Sequence, residues 1–385
     1  MEHYDFIIAG SGAAGMMTAY FMSQDSFFDS KSVLIIDKEV KDQNDRTWCY
    51  WENGKGQWDQ ILTKEWKKIF FAGKNWLKHI DLNDYSYKMI RSKDFYQFVH
   101  TKISEKQNFK LVTEDIHAVD DQKSAVIVKT GRTCYSAGKV LSSIFNPMWL
   151  EKNVGFPYLK QHFIGWFVKT KKPIFDEKVA GFMDFDVPQK GNTRFMYVLP
   201  TASDEALIEY TLFSEHLLDA EEYESEIKSY IQEKYQTNDY TILEKETGNI
   251  PMTCYPFEKH NTSNVMYIGS AGGWTKPSTG YTFARSTRIA QRLITFLKSN
   301  TDLTKFSYKN RYWYYDLIFI KVLADHNEAG QEVFTSIFKH HRIENIFKFL
   351  DEENSFINDL KLMWSTSPQK LFIKAAMEST RNIKA

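Results

Sequence analysis

The sequence predicts an α/β protein in three parts: a parallel-sheet domain, a domain built on an antiparallel sheet, and a helical C-terminal region. Three observations carry this. A short apolar strand, Tyr4 to Ala9, runs straight into Gly10-Ser11-Gly12-Ala13-Ala14-Gly15 and a helical stretch. Four strand-length segments (HFIGWFVKT, AGFMDFD, TRFMYVLP, EALIEYTLFS) follow from Gln161, separated by Pro, Gly or Asp. From Thr301 onward the pattern is mostly helical, with no glycine turn after Gly330.

The opening unit is a strand, a glycine turn, a helix from Met16 to Gln24, and a second strand, Ser32 to Ile36, closing on Asp37. This is the dinucleotide-binding βαβ pattern. Gly10 permits the tight turn, Gly12 lets the backbone approach a pyrophosphate, and Gly15 lets helix and strand pack closely. Ala13 and Ala14 lie in the turn, and the helix that follows offers free N–H groups and partial positive charge to phosphates at its N-terminus. Asp37, 22 residues beyond Gly15, is placed to bond an adenosine ribose, and its charge would repel a 2′-phosphate.

With 385 residues the chain has room for two or three domains. Forty-nine basic and 49 acidic residues cancel, so there is no electrostatic footprint for nucleic acid. Aromatics make up 16% of the chain, a composition that suits a long apolar ligand or a developing cation. Cys49, Cys134 and Cys254 are isolated; no disulfide framework or metal site is expected, and a reducing compartment is. No apolar run of about 18 residues is present, so no spanning helix is expected, and peripheral membrane contact stays open.

After a polar loop, Lys38 to Asn44, comes Asp45-Arg46-Thr47-Trp48-Cys49-Tyr50-Trp51-Glu52. This segment is either a local aromatic plug or a lid over a cofactor, with Arg46 near phosphate or flavin. Residues 65–90 read as strands crossing between domains. Ser92 or Asp94 is expected to cap a helix from Phe95 to Ser104. Strand-like runs at 110–112, 125–129 and 139–142 would complete the first domain near Ile144. An acidic, solvated helix is expected from Glu221 to Gln236. A strand, Val265 to Ile268, leads into a second glycine-rich turn containing Gly269, Ser270, Gly272, Gly273 and Gly280, followed by a helix from Thr282 to Lys298. Two such turns point to FAD, whose ribityl and pyrophosphate groups need a later strand of the same sheet. The expected division is 1–60, 91–150 and 261–300 for cofactor, 61–90 and 151–260 for substrate, and 301–385 as the helical region. Within that region Phe306 to Leu323 reads as an interfacial helix, a lid on an apolar cavity, or a plain core helix.

Several motifs in order then resemble a known family. They are Arg46 to Glu52, Gln161-His162-Phe163, Phe182-Met183-Asp184-Phe185, Tyr197-Val198-Leu199-Pro200, Leu207 to Ser214, Gly248-Asn249-Ile250-Pro251-Met252 and Pro277-Ser278-Thr279-Gly280-Tyr281. Over about residues 4 to 300 the chain resembles the flavoprotein-type bacterial lycopene cyclases. The resemblance implies a Rossmann-like FAD-binding domain in a fold related to flavin hydroxylases, and a membrane-peripheral cytoplasmic enzyme. It implies reduced FAD, with NAD(P)H as electron source, and conversion of the linear ends of lycopene into β-ionone rings, giving β-carotene through γ-carotene without net redox change. It also implies that Glu209 is the essential acid. Several members carry a second carboxylate directly after it, where this chain has Tyr210; many flavoproteins carry Asp where it has Ser270.

Ring closure needs a proton on a terminal double bond, attack on the resulting tertiary cation by the neighbouring double bond, and loss of a proton. Leu207, Glu209, Thr211 and Phe213 share one strand face, and burial among such neighbours would keep Glu209 protonated near neutral pH. Trp48, Tyr50, Trp51 and Trp274 are candidates for aromatic faces around a cation. Asp184 is either a second buried acid of the cavity or half of an ion pair with Arg194. Two other functions stay open: a flavin monooxygenase or isoprenoid reductase, which shares the cofactor turns but does not explain the Glu209 strand, and a non-catalytic membrane-associated carotenoid carrier with the same aromatic cavity.

Overall fold

The apolar run after Glu2 forms β1 (His3–Ala9), paired in parallel with β2 (Val33–Asp37) through the crossover helix α1 (Ala13–Ser23). All three are largely buried, as continuous apolar segments covered on both faces must be. The computed structural model describes residues 1–151 and 155–383, with side chains through 379. Residues 152–154, at the start of the expected substrate segment, and 384–385, at the end of the helical one, lie outside it.

Five strands follow: β3 (Thr47–Asn53), β4 (Lys64–Trp66), β5 (Lys68–Gly73), β6 (Trp76–Asp81) and β7 (Tyr85–Arg91). β7 lies between β3 and β4 in a small antiparallel sheet, so it bridges the boundary expected at residue 60. Thr47 to Asn53 is therefore a paired strand rather than a loop. α2 (Ser92–Ser104) begins earlier than expected, and Ser92 and Asp94 do not cap it. Ser92 Oγ instead accepts the Arg46 N–H at 3.0 Å, and Asn44 Oδ1 accepts that of Lys93 at 3.2 Å.

β8 (Phe109–Thr113), β9 (Ile116–Asp121), β10 (Val126–Thr130) and β11 (Cys134–Ser142) complete the first sheet in the order β8-β2-β1-β11-β10-β9. β9 escaped the sequence reading because none of its 6 residues is buried and half of them are polar.

After α3 (Met148–Glu151) come β12 (Tyr158–Thr170), β13 (Val179–Asp184), β14 (Thr193–Pro200), β15 (Glu205–Ser214), α4 (Ala220–Tyr235) and β16 (Tyr240–Thr253). Their sheet runs β16-β12-β15-β14-β13-β5-β6. It is not a simple meander: β12 pairs with β15 and β16, and β13 pairs in parallel with β5. One face, with Trp166, Met196, Ile208 and Tyr210, is covered by Tyr223, Ile227 and Ile231 of α4. The other, with Tyr197, Leu207 and Phe213, meets the small sheet and the C-terminal helices.

β17 (Val265–Tyr267) returns to pair in parallel with β11, and α5 (Phe283–Leu297) packs beside α1. The helical region comprises α6 (Arg311–Asp325), α7 (Gly330–His340), α8 (Ile343–Leu350), α9 (Phe356–Ser365) and α10 (Gln369–Ile383). Phe338 of α7 stacks on Phe71 at 4.1 Å, and Phe334 on Phe185 at 5.4 Å, sealing these helices to the second sheet.

Candidate active site

The two glycine turns stand side by side at the ends of β1 and β17. A Cβ on Gly269 would lie 2.7 Å from Ala14 Cβ, and one on Gly15 only 2.0 Å from Gly10 O, so both positions require the missing side chain. At Gly12 a Cβ would meet no atom within 4 Å. There α1 starts, next to Ala13, with no side-chain cap and no acid in its first turn. Its free N–H groups therefore face open space, a setting that suits a pyrophosphate. Asp37 stands at the rim of this cleft, accepting the N–H of Ser11 at 2.5 Å and of Glu39 at 3.0 Å. Ser270 is exposed beside the second turn, its Oγ 3.3 Å from Thr275 Oγ1, with Gly272 and Gly273 behind it. Gly280 touches the second sheet: a Cβ there would sit 1.9 Å from Gln161 Oε1. Arg46 is exposed at the start of β3, and its charge only weakly opposes the rise that burial imposes on Glu246.

Glu209 meets Glu246 across Gly165. β12 runs between β15 and β16, and Gly165 pairs with Glu209 on one side and Glu246 on the other. A Cβ on Gly165 would stand 3.3 Å from both Glu209 Cβ and Glu246 Cγ. Because that side chain is missing, the two carboxyls can lie over the middle strand close enough for the charge of one to act on the other. Each also accepts a hydroxyl: Thr211 Oγ1 donates to Glu209 Oε1 at 2.6 Å, and Thr47 Oγ1 to Glu246 Oε2 at 2.6 Å. Both glutamates are buried. Burial, reinforced by the charge of Glu246, pushes Glu209 up to about 8. Burial raises Glu246 to about 7, against the Thr47 hydrogen bond and the Arg91 charge. Neighbouring buried carboxyls do not both ionise, so the pair holds a proton at neutral pH.

Sequence reasoning missed Glu246. The signal was its place two residues before Gly248 in an alternating segment, but nothing local says that this segment lies beside β12. Tyr210 faces the opposite side of the sheet, where its hydroxyl accepts from Arg194 Nη1 at 3.1 Å. An acid at that position would not reach the pair.

The carboxyls line a pocket of about 100 Å³ between the second sheet and the second glycine turn. In its wall Gln161 Oε1 and Thr279 Oγ1 are buried without a hydrogen-bond partner, a pattern that calls for a polar ligand edge. Beside it is a cavity of about 630 Å³, walled by Phe182, Phe213, Phe334, Ile337 and Phe372. Tyr197, Thr279 and Tyr281 line both. The Tyr281 hydroxyl lies 3.2 Å from that of Tyr87 and 3.3 Å from that of Tyr197. Burial raises all three phenols, so they stay neutral donors and acceptors.

Of the five cavity candidates only Trp48 lines the carboxyl pocket. Tyr50 stacks on Phe283 at 5.3 Å inside the first domain's core. Trp51 lies behind Tyr281, stacked on Phe347 at 4.7 Å, and donates from Nε1 to Asp351 at 2.7 Å. Trp274 is fully buried among α1 and α5 residues, because the chain turns inward at Gly273, whose φ is +71°. Asp184 is displaced by a bulge in β13 between Gly181 and Asp184, which carries it to the α4 face. There it accepts from Tyr230 at 2.7 Å, while Arg194 pairs with Glu222 at 2.8 Å instead. Tyr50, Trp51, Trp274 and Asp184 thus line neither the carboxyl pocket nor the large cavity.

A family model described as lycopene cyclase protein matches residues 5–376. No curated protein matches the chain. Among solved structures, a geranylgeranyl bacteriochlorophyll reductase-like protein from Thermoplasma acidophilum superposes with a TM-score of 0.63 at 13% identity, covering 98% of this chain and 100% of its own. A flavoprotein/dehydrogenase from Cytophaga hutchinsonii gives 0.64 at 10%, covering 98% and 99%. A variant of halogenase PltM in complex with FAD gives 0.61 at 12%, covering 99% and 92%. At such identities the likeness establishes the shared fold.

Proposed function

Since the chain belongs to the lycopene cyclase family, we propose that it is an isomerase closing the linear ends of lycopene into β-ionone rings, with FAD bound and no net redox change. The observation that carries this reading is a proton-holding carboxyl pair, Glu209 and Glu246, in a pocket that adjoins a large apolar cavity.

The residues present fit FAD. Gly12 and the start of α1 would hold the pyrophosphate, Asp37 the ribose, and the turn from Gly269 to Gly273, with Ser270, the ribityl end. Gln161 Oε1 and Thr279 Oγ1, otherwise unsatisfied, suit the polar edge of a ring. When bound and reduced, with NAD(P)H as electron source, FAD supplies fixed negative charge that favours a nearby cation.

Glu209 donates its proton to the terminal double bond, leaving a tertiary carbocation. The adjacent double bond attacks, closes the ring and moves the charge within it. The ring then loses a proton to the carboxylate pair, which returns to its starting state. Trp48 lines the carboxyl pocket, where a desolvated contact between a cation and an aromatic ring is worth about 1–2 kcal/mol. The aromatic walls exclude water that would otherwise capture the intermediate.

The test is expression in a lycopene-accumulating host with pigment analysis. Wild type should form cyclic carotenes, and Glu209→Gln should reduce the rate by roughly 10²–10⁴-fold. Untouched lycopene with wild type would overturn the cyclase reading; normal cyclisation by the Gln variant would overturn the acid assignment.

A further inference from the structure

α9 and α10 leave a group of large apolar side chains in solvent. Phe356, Ile357, Leu360 and Trp364 stand on α9, and Ile373 and Met377 on α10; Trp364 is 78% exposed. Residues 357, 360 and 364 recur at helical spacing, as do 373 and 377, so each set forms one stripe. Leu360, Trp364 and Ile373 also line the 630 Å³ cavity, so the stripes meet at its mouth. Single exposed apolar residues are ordinary, whereas a contiguous patch at a cavity mouth marks an interaction surface.

The exposed charges of the two helices are basic, with exposed Glu353 just ahead of α9 as the exception. Lys361, Lys370 and Lys374 are exposed, and among the described ion pairs none involves them. The acids of these helices are engaged: Asp359 with Arg311 at 2.8 Å, and Glu378 with Lys321 at 2.9 Å. A second copy docking on this face about a two-fold axis would bring together two surfaces that both carry an excess of lysines. An anionic lipid surface meets both the apolar stripes and the lysine fringe. Among the described residues no helix is long and apolar enough to cross a membrane, so the contact is interfacial.

We propose that the α9–α10 face docks on an anionic bilayer, with Phe356, Ile357, Trp364 and Met377 in the headgroup–acyl boundary and the cavity mouth opening into the lipid. What passes through the mouth, a long hydrocarbon dissolved in the bilayer, rests on the cyclase reading. The docking does not.

The experiment is sedimentation of the full chain with phosphatidylglycerol/phosphatidylcholine vesicles and with phosphatidylcholine alone. It compares wild type with Phe356→Ser/Ile357→Ser/Met377→Ser, whose three positions do not line the cavity, and with Lys361→Glu/Lys374→Glu. Wild type should bind the anionic vesicles, and binding should weaken in about 0.5 M salt. Each variant should bind about tenfold or more weakly with an unchanged melting temperature. The proposal is overturned if wild type stays in the supernatant, if the folded variants bind as wild type does, or if gel filtration shows that the serine substitutions split a dimer. Because sedimentation needs no turnover, a failed pigment assay leaves this result standing, and the reverse also holds. If both hold, the serine variant should cyclise lycopene normally in detergent micelles and slowly from vesicles.

Discussion

Replacing Glu246 by Gln removes one charge from the carboxyl pair while keeping an oxygen for the Thr47 hydroxyl, which donates to it at 2.6 Å. Glu209 then loses the charge of Glu246, the second of the three causes that raise it; burial, the largest, remains. Two full charges about 4 Å apart at an effective dielectric near 20 interact by about 4 kcal/mol, which bounds the loss at roughly 3 pH units. Since burial holds the larger share of the rise from 4.5 to about 8, the expected fall is about 1–2 units. Activity requires the proton on Glu209, so wild type should lose kcat/KM as pH rises through about 8. In Glu246→Gln that limb should move down by about 1–2 units, with further loss at the optimum because the ring proton has one acceptor fewer. The assay is the pH profile of lycopene conversion by purified protein with chemically reduced flavin. Superimposable alkaline limbs would refute the shared proton.

Gly165→Ala would place a Cβ 2.9 Å from Leu207 Cδ1 and 3.3 Å from both glutamate stems. It should cost about 1–3 kcal/mol of stability and shift the alkaline limb down by parting the carboxyls, read from melting curves and the same pH profile. Gly15→Ala drives a Cβ to 2.0 Å from Gly10 O, whereas Gly12→Ala meets no protein atom within 4 Å. The first should lower both melting temperature and flavin absorbance; the second should lower flavin alone. Folding linkage gives a further test. From about 4.5 to about 8 the folded chain keeps a Glu209 proton that the unfolded chain has released, so this group's contribution to stability falls as pH rises. Glu209→Gln should therefore melt higher than wild type at about pH 8–9 and nearly level with it at about pH 4.5, measured by calorimetry.

What the sequence made legible was local. The first βαβ unit needs only a contiguous apolar strand, three glycines and a terminal acid, and each position acts within a few residues of the next. The shared face of Leu207, Glu209, Thr211 and Phe213 follows from the period of a strand. What escaped depends on distant pairing. Glu246 lies in an alternating, charge-rich segment that reads as solvent-facing until β16 is seen to run along β12. Gly165 looked like any strand glycine, because its meaning comes from residues 44 and 81 positions away. Asp184 reads as a cavity acid or a partner of Arg194 and is neither, because a bulge after Gly181 reverses the alternation and carries it to the α4 face. Trp51 and Trp274 were read for chemistry where packing claims them: the first ties β3 to α8, the second fills the core beneath the turn.

The solved structures that share this fold include proteins named as a reductase, a dehydrogenase and a halogenase, so the fold does not select a reaction. On the proposed reading the selection lies in the sheet facing the glycine turns. A buried carboxyl that keeps its proton at neutral pH costs stability whenever it ionises, and a second beside it raises that cost. Hydride or oxygen transfer to an apolar chain needs neither acid. Proton-initiated cyclisation needs both a donor and an acceptor for the returning proton, in a site closed to water. Thr211 and Thr47 each hold one glutamate, and the bare backbone of Gly165 lets the two lie beside each other. The same pair can then give the proton and take it back. Burial and the neighbouring carboxyl retain a proton here against the pull of the two threonine hydroxyls, which on the proposed reading serves proton transfer rather than electron transfer.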